Sequence, residues 1–258
     1  MSTNPPEVMD LTKVASTFPQ LGMPNIRREN MITTITEMLR SETEVVIVEG
    51  PDGIGKTTLL AQFANEFPNH AFGLFVRSSS RWAYDSGMLT RDLCDQIGWV
   101  LRKEDYRAEK DIDPAQLLAA RIFDLQRRAN QERMTYYFVV DGLNEIPEED
   151  CHEREMILKL LPFGIPRFRF VLSGPLECLK SRPQKLRGTS PFRMVGFTFE
   201  ETRQFFDGLV EDRSALETIH KVSKFIPGNL ASVRRLLQAG TKVEQLLEEY
   251  PERVPDMF

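Results

Sequence analysis

Two short stretches carry residue types whose spacing can do chemistry. The first is Gly50-Pro51-Asp52-Gly53-Ile54-Gly55-Lys56-Thr57-Thr58, a G-x-x-x-x-G-K-T pattern placed between four β-formers, Val45 to Val48, and a helical run from Leu59. Strand, glycine loop and helix in that order make a phosphate cradle. The glycines let successive N–H groups turn inward, and the positive end of the following helix adds to the field. Lys56 is then placed to reach the β- and γ-phosphates of a nucleoside triphosphate, and the Thr57 hydroxyl to hold Mg²⁺. The second stretch is Tyr136-Tyr137-Phe138-Val139-Val140-Asp141-Gly142-Leu143-Asn144-Glu145. An apolar strand ending in Asp puts a carboxylate at the C-terminal edge of a sheet, where α/β folds bind ligands. Asp141 is therefore expected to orient Mg²⁺ opposite Thr57, and Glu145 to polarise the attacking water as general base.

These groups need a sheet to position them, and the hydrophobic pattern supplies one. Strands are expected over 44–49, 71–77, 135–140, 168–173 and 192–195. Helices are expected over 28–40, from the phosphate loop to about Phe67, and over 87–101, 114–131 and 153–161. Asp113 reads as an N-cap with Pro114 at the first helical position. Strands alternating with helices argue for an α/β fold whose mostly parallel sheet is flanked by helices, and together with the glycine loop this arrangement resembles a P-loop NTPase core. After Gly196 the chain becomes all-helical, over 198–210, 214–223, 229–238 and 243–250. The expected organisation is an N-terminal extension at 1–20, a nucleotide-binding domain at 21–196 and a small helical lid at 197–258, hinged near Phe197.

Composition narrows the class. A net charge of -5 gives no nucleic-acid footprint, and the densest basic cluster, Lys180 to Arg187, reads as a solvated loop. Cys94, Cys151 and Cys178 are odd in number and lack a C-x-x-C pair, which argues against a disulfide framework or zinc site and for a reducing, cytoplasmic setting. Cys151-His152 sits among acidic residues and reads as solvated loop, not as a thiol nucleophile. No run approaches the ~20 apolar residues of a membrane helix, so no membrane contact is expected.

Asp141-Gly142-Leu143-Asn144-Glu145 resembles the D-G-x-D-E form of the Walker B motif of NACHT ATPases, within the STAND class of signalling P-loop NTPases related to AAA+ proteins. Asn144 stands at the second acidic position. Ile26-Arg27-Arg28-Glu29 is similar to the segment that touches adenine in many of these proteins, with Arg27 where Gly is usual. Val195 to Glu201 resembles the segment that enters the helical lid. Pro227-Gly228-Asn229-Leu230 resembles the lid's G-x-P segment, with Leu230 at the position of its Pro. The resemblance implies that Ile26, Arg28 and Pro227 join Gly50–Thr58 in holding ATP or ADP. Leu172-Ser173-Gly174-Pro175 matches a sensor strand that commonly reads T-S-R-P, here with Gly174 for Arg. Arg234 or Arg235, on the lid helix after Gly228, is then the candidate γ-phosphate sensor. Arg77 and Arg81 are candidates for a finger offered to a neighbouring copy, with Trp82, Ala83 and Tyr84 as a contact patch.

In function, the resemblance implies an ATP/ADP switch, an NTPase of slow turnover that forms a homo-oligomer when ATP-bound and serves defence signalling. Effector and sensor domains are then expected outside this chain, C-terminal to Phe258 if Met1 is the native start. Two other readings stand beside it. One is an AAA+-like ATPase that remodels a protein or nucleic-acid client; the other is an interaction module stapled by ADP that scarcely hydrolyses it.

Overall fold

The computed structural model describes residues 8–102, 113–174, 188–243 and 245. By internal contacts the chain falls into two compact units. One takes residues up to Leu21, Glu29–Glu49 and Thr57–Phe192; the other takes Gly22–Arg28, Gly50–Lys56 and the residues from Arg193 onward. The division therefore groups the phosphate loop with the C-terminal helices, and its boundary crosses the chain at the Lys56–Thr57 peptide bond.

The first unit runs α1 (Leu11–Val14), α2 (Glu29–Arg40), β1 (Val45–Glu49), α3 (Lys56–Glu66, entering at Thr57), β2 (Ala71–Phe75), α4 (Ser86–Arg102), α5 (Pro114–Glu132), β3 (Tyr136–Asp141), α6 (Cys151–Leu160), β4 (Phe168–Ser173) and β5 (Thr189–Arg193). The strands form one sheet in the order β2-β3-β4-β1-β5, with β2·β3, β3·β4 and β4·β1 parallel. Strands covered by helices on both faces read as continuous apolar runs, not as alternation, and β1, β2 and β3 are buried along nearly their whole length. Register lines Phe72, Phe138 and Phe170 up across three strands, with ring centroids 5.2 and 5.3 Å apart. The Asp113 carboxylate caps α5 by accepting from the Ala115 N–H, as the sequence predicts.

The fifth strand departs from expectation. It spans Thr189–Arg193 instead of 192–195. Thr189, Ser190 and Pro191 carry no apolar pattern, yet a strand at the edge of the sheet tolerates them, since proline's missing N–H then faces no partner. The opposite edge, β2, is closed by side chains. Gln96 accepts from the Gly73 N–H at 2.8 Å and donates to the Gly73 carbonyl at 2.9 Å, while Thr17 Oγ1 accepts from the Phe75 N–H at 3.1 Å.

The second unit is built from α7 (Phe199–Phe205), α8 (Arg213–Val222) and α9 (Pro227–Gln238) around Phe197, Phe205, Phe206, Leu216, Ile219, Leu230 and Val233, with Ile26 packed against them. Thr198 and Glu201 form a capping box at the start of α7. α7 ends at Phe205, short of the expected Val210, where the Phe206 N–H turns back to the carbonyls of Thr202 and Gln204. Of the expected helix over 243–250, Val243 and Gln245 are helical and the rest lies outside the described residues, as do Lys180 to Arg187 and Cys178.

Candidate functional site

Strand register brings the acidic part of the site together. Phe75 lies opposite Asp141, Val140 opposite Leu172, and Val48 opposite Ser173, so β4 carries Ser173 between Asp141 and the end of the strand that enters the phosphate loop. Asp141 is 4% exposed. Its Oδ2 accepts from Thr57 Oγ1 at 2.5 Å. Its Oδ1 accepts from the hydroxyl of Ser173, which itself accepts from the Gly142 N–H at 3.1 Å. A hydroxyl from α3 and one from β4 thus hold the two carboxylate oxygens. Gly142 is dictated by space: at φ 79° a Cβ there would lie 2.2 Å from the carbonyl oxygen of Val76.

Beyond Asp141 the chain makes a short 3-10 turn, Leu143–Glu145. The exposed Glu145 carboxylate accepts from the Ser78 N–H at 3.4 Å. Two of the departures noted in the sequence, Asn144 and Gly174, prove to be neighbours, since a Cβ on Gly174 would sit 3.6 Å from Asn144 Oδ1. Gly174 has φ +125°, a conformation side chains rarely adopt, so an arginine would be strained on this backbone.

In the second unit, Lys56 Nζ donates to the carbonyls of Gly50 at 2.8 Å and Pro51 at 3.1 Å, and lies 3.6 Å from Asp52 Oδ1. Ile54 is buried and its N–H bonds back to Pro51. Gly53 faces α9. Its carbonyl accepts from the Gly228 N–H at 2.8 Å, and a Cβ on Gly228 would lie 2.9 Å from Gly53 Cα. Pro227, at the first position of α9, fixes the turn that delivers Gly228.

Most of the other residues named from sequence make contacts within the protein. The Arg28 guanidinium makes contacts within its own unit. It is buried, with Nε 3.1 Å from Glu201 Oε1 and Nη2 donating to the carbonyls of Val195 and Gly196 at 2.8 and 3.2 Å, over the ring of Phe197. Arg234 donates to the Phe205 carbonyl and lies over the Phe205 ring. Arg235 is exposed and reaches Ser232 on its own helix at 3.1 Å. In the proposed contact patch only Trp82 is exposed, at 53%; Ala83 and Tyr84 are buried, with the Tyr84 hydroxyl donating to Asp150. Arg81 pairs with that same Asp150 at 3.7 Å, and Arg77 is exposed. Cys151 and His152 open α6 instead of lying in a loop, and His152 Nε2 is 3.4 Å from Glu153 Oε1.

Two relationships escaped the sequence reading: the hydroxyl of Ser173 on Asp141, and the contact of Gly53 with Gly228. The first depends on β4 lying between β1 and β3, an order that hydrophobic pattern does not encode. The second joins two glycines 175 positions apart, and only a fold can bring them together.

The NACHT domain family matches residues 44–213. No curated protein sequence is a significant match. Among solved structures, the chain is similar to the Walker-type ATPase PABY2304 of Pyrococcus abyssi, at 15% identity and TM-score 0.57, covering 87% of this chain and 71% of that one. It is similar to a chain of Drosophila ORC bound to DNA, at 16% identity and TM-score 0.57 over 88% of this chain and 64% of that one. It is also similar to Aeropyrum pernix ORC1 in complex with DNA, at 12% identity and TM-score 0.51 over 84% and 61%. At these identities the similarity is one of fold, and this chain spans less than two thirds of the two ORC chains.

Proposed function

This chain belongs to the NACHT family of P-loop NTPases, and on that premise we propose that it is an ATP/ADP-binding signalling switch of the STAND type. Mg-ATP binding drives self-association and activates effector domains outside this chain, and slow hydrolysis resets it. The observation that carries this reading is the hydrogen bond from the Gly228 N–H to the Gly53 carbonyl. A loop that shifts with the phosphates it holds moves or frees the start of α9, so α7–α9 respond to the nucleotide. A switch requires no less: the two nucleotides must contact the two states differently.

Each residue has a role in this reading. Phosphate oxygens are stronger acceptors than the carbonyls that now receive the Lys56 ammonium, and replace them. The donor set suits Mg²⁺, because Thr57 Oγ1 and Asp141 Oδ2 are hard oxygens side by side, and this ion takes one or two protein oxygens and fills its shell with water and phosphate. Among the described residues no cluster of three His, Cys, Asp or Glu offers a competing metal cage. Thr57 and Asp141 would hold the ion, which would supply positive charge to offset that of the phosphates. Glu145 orients and deprotonates water, Ile26 and Pro227 face the base, and Arg235 supplies the cation for the γ-phosphate. Turnover is slow because Gly174, the residue after β4, contributes no cation.

The test is to denature the purified chain, identify the released nucleotide, and follow mass by light scattering with Mg-ATP. Retained ADP, growth in mass with ATP and turnover far below the ~10 s⁻¹ of an ordinary enzyme are expected, with Lys56→Ala emerging empty. An empty wild-type site with turnover at that ordinary rate and unchanged mass would instead indicate a working, client-remodelling ATPase.

A further inference from the structure

We propose that Ser173 is a positioning residue: its hydroxyl sets the orientation in which Asp141 presents Oδ2 to a divalent cation. The inference rests on the nucleotide reading above and goes one residue beyond it. Ser173 is 3% exposed, at the last position of β4. A serine hydroxyl has one proton to give. Here the Gly142 N–H occupies an acceptor position of the oxygen, and the proton goes to Asp141 Oδ1. The carboxylate plane is thereby fixed from one side, and the oxygen left for Thr57 is Oδ2.

A terminal carboxylate torsion is otherwise broad, so without the hydroxyl the carboxylate turns and Oδ2 loses its direction. The register makes the arrangement specific. Ser173 is paired through its backbone with Val48, on the strand that feeds the phosphate loop, while its side chain lies against Asp141 and Gly142 at the end of the strand that carries the acid. Serine could instead serve only as a small buried filler with its hydroxyl satisfied. That role predicts loss of stability on substitution with no change in response to the cation. A group that orients a metal-binding carboxylate is worth about 10- to 100-fold in metal affinity, which separates the two roles.

The experiment titrates mant-ADP into the full chain in EDTA and across a Mg²⁺ series, for the wild type, Ser173→Ala, Ser173→Thr and Ser173→Cys, with a thermal melt of each. In Ser173→Ala, affinity in EDTA is expected to stay at the wild-type value, while the Mg²⁺ concentration for half of the affinity gain rises by about 10- to 100-fold. Ser173→Thr, which keeps the hydroxyl, is expected to return it toward wild type. Ser173→Cys, close in size but a weak donor, should move it in the same direction as alanine and guards against an alanine variant that does not fold. An unchanged Mg²⁺ midpoint in Ser173→Ala or Ser173→Cys overturns the role of Ser173 and leaves the nucleotide reading standing. A wild-type chain that binds mant-ADP no better with Mg²⁺ than with EDTA overturns the Mg²⁺ reading itself, and the positioning role with it.

Discussion

The backbone N–H of Gly228 meets the carbonyl of Gly53 at 2.8 Å, with no room between the two residues for a side chain. Helix propensity alone expects Gly228→Ala, in the first turn of α9, to stabilise by up to ~1 kcal/mol. Packing expects the opposite sign. The added methyl would lie 2.9 Å from Gly53 Cα and 3.1 Å from its oxygen, backbone atoms that cannot rotate away. Overpacking of this kind costs ~1–3 kcal/mol and outweighs the propensity gain. Gly228→Ala is therefore expected to lower the melting midpoint and weaken mant-ADP binding several-fold. Unchanged melting and affinity would show that loop and helix are not coupled through this contact.

The chemistry-bearing loop and the apolar strand ending in Asp141 were readable because each is local: a handful of adjacent residues sets both the backbone and the groups it displays. Four of the five strands and the capping of α5 were readable for the same reason. What could not be read depended on neighbours distant in sequence. β5 lacks an apolar run because it is an edge. Gly174 reads as a lost arginine, and its left-handed backbone, which would strain any side chain, shows only in the fold. Arg28 matched a base-contacting segment, yet its guanidinium answers to Glu201, 173 positions away. Sequence named candidate residues for the phosphates and left open which of them would act on ligand and which brace the fold.

Gln96 shows the same point within the core. It is fully buried, and its amide satisfies both the N–H and the carbonyl of Gly73 on edge strand β2. Gln96→Leu nearly conserves volume but leaves both backbone groups without that partner. At ~1–3 kcal/mol for each buried group left unsatisfied, the expected loss is roughly 2–6 kcal/mol. Urea unfolding measures it, and hydrogen exchange at the Gly73 amide should accelerate. A loss under ~0.5 kcal/mol, the range of neutral surface changes, would show that the edge is not held by this side chain.

Asp92 gives the fold a pH dependence of definite sign. Burial holds its pKa at about 6 against an ordinary 3.8, while the Ser16 N–H, 2.7 Å from Oδ1, pulls it back down and Asp95 raises it. The folded chain binds this proton more tightly than the unfolded chain. The associated stability is thus complete below about pH 3.8 and is lost as pH rises through about 6. At ~1.4 kcal/mol per pKa unit this amounts to about 3 kcal/mol. Asp92→Asn keeps an acceptor for Ser16 and carries no charge. It is expected to be more stable than wild type above about pH 7, with the difference shrinking toward pH 4. Parallel denaturation curves for the two proteins across that window would refute the assignment.

Arg28 is where the base-contacting and bracing roles part most sharply. Its planar guanidinium serves Glu201, two carbonyls and the Phe197 ring in different directions, which a lysine ammonium cannot reproduce. Burial lowers its pKa and Glu201 opposes the shift, so the pair stands or falls together. Removing one member of a buried pair costs ~3–5 kcal/mol, and Arg28→Ala is expected to lose stability on that scale, with Arg28→Lys recovering only part. The ligand measurement then separates the roles. If Arg28 braces the unit that contains the phosphate loop, binding of ADP and of pyrophosphate should weaken by the same factor, because both see the same loop. A loss confined to ADP, with pyrophosphate binding intact, would return the guanidinium to the nucleotide base.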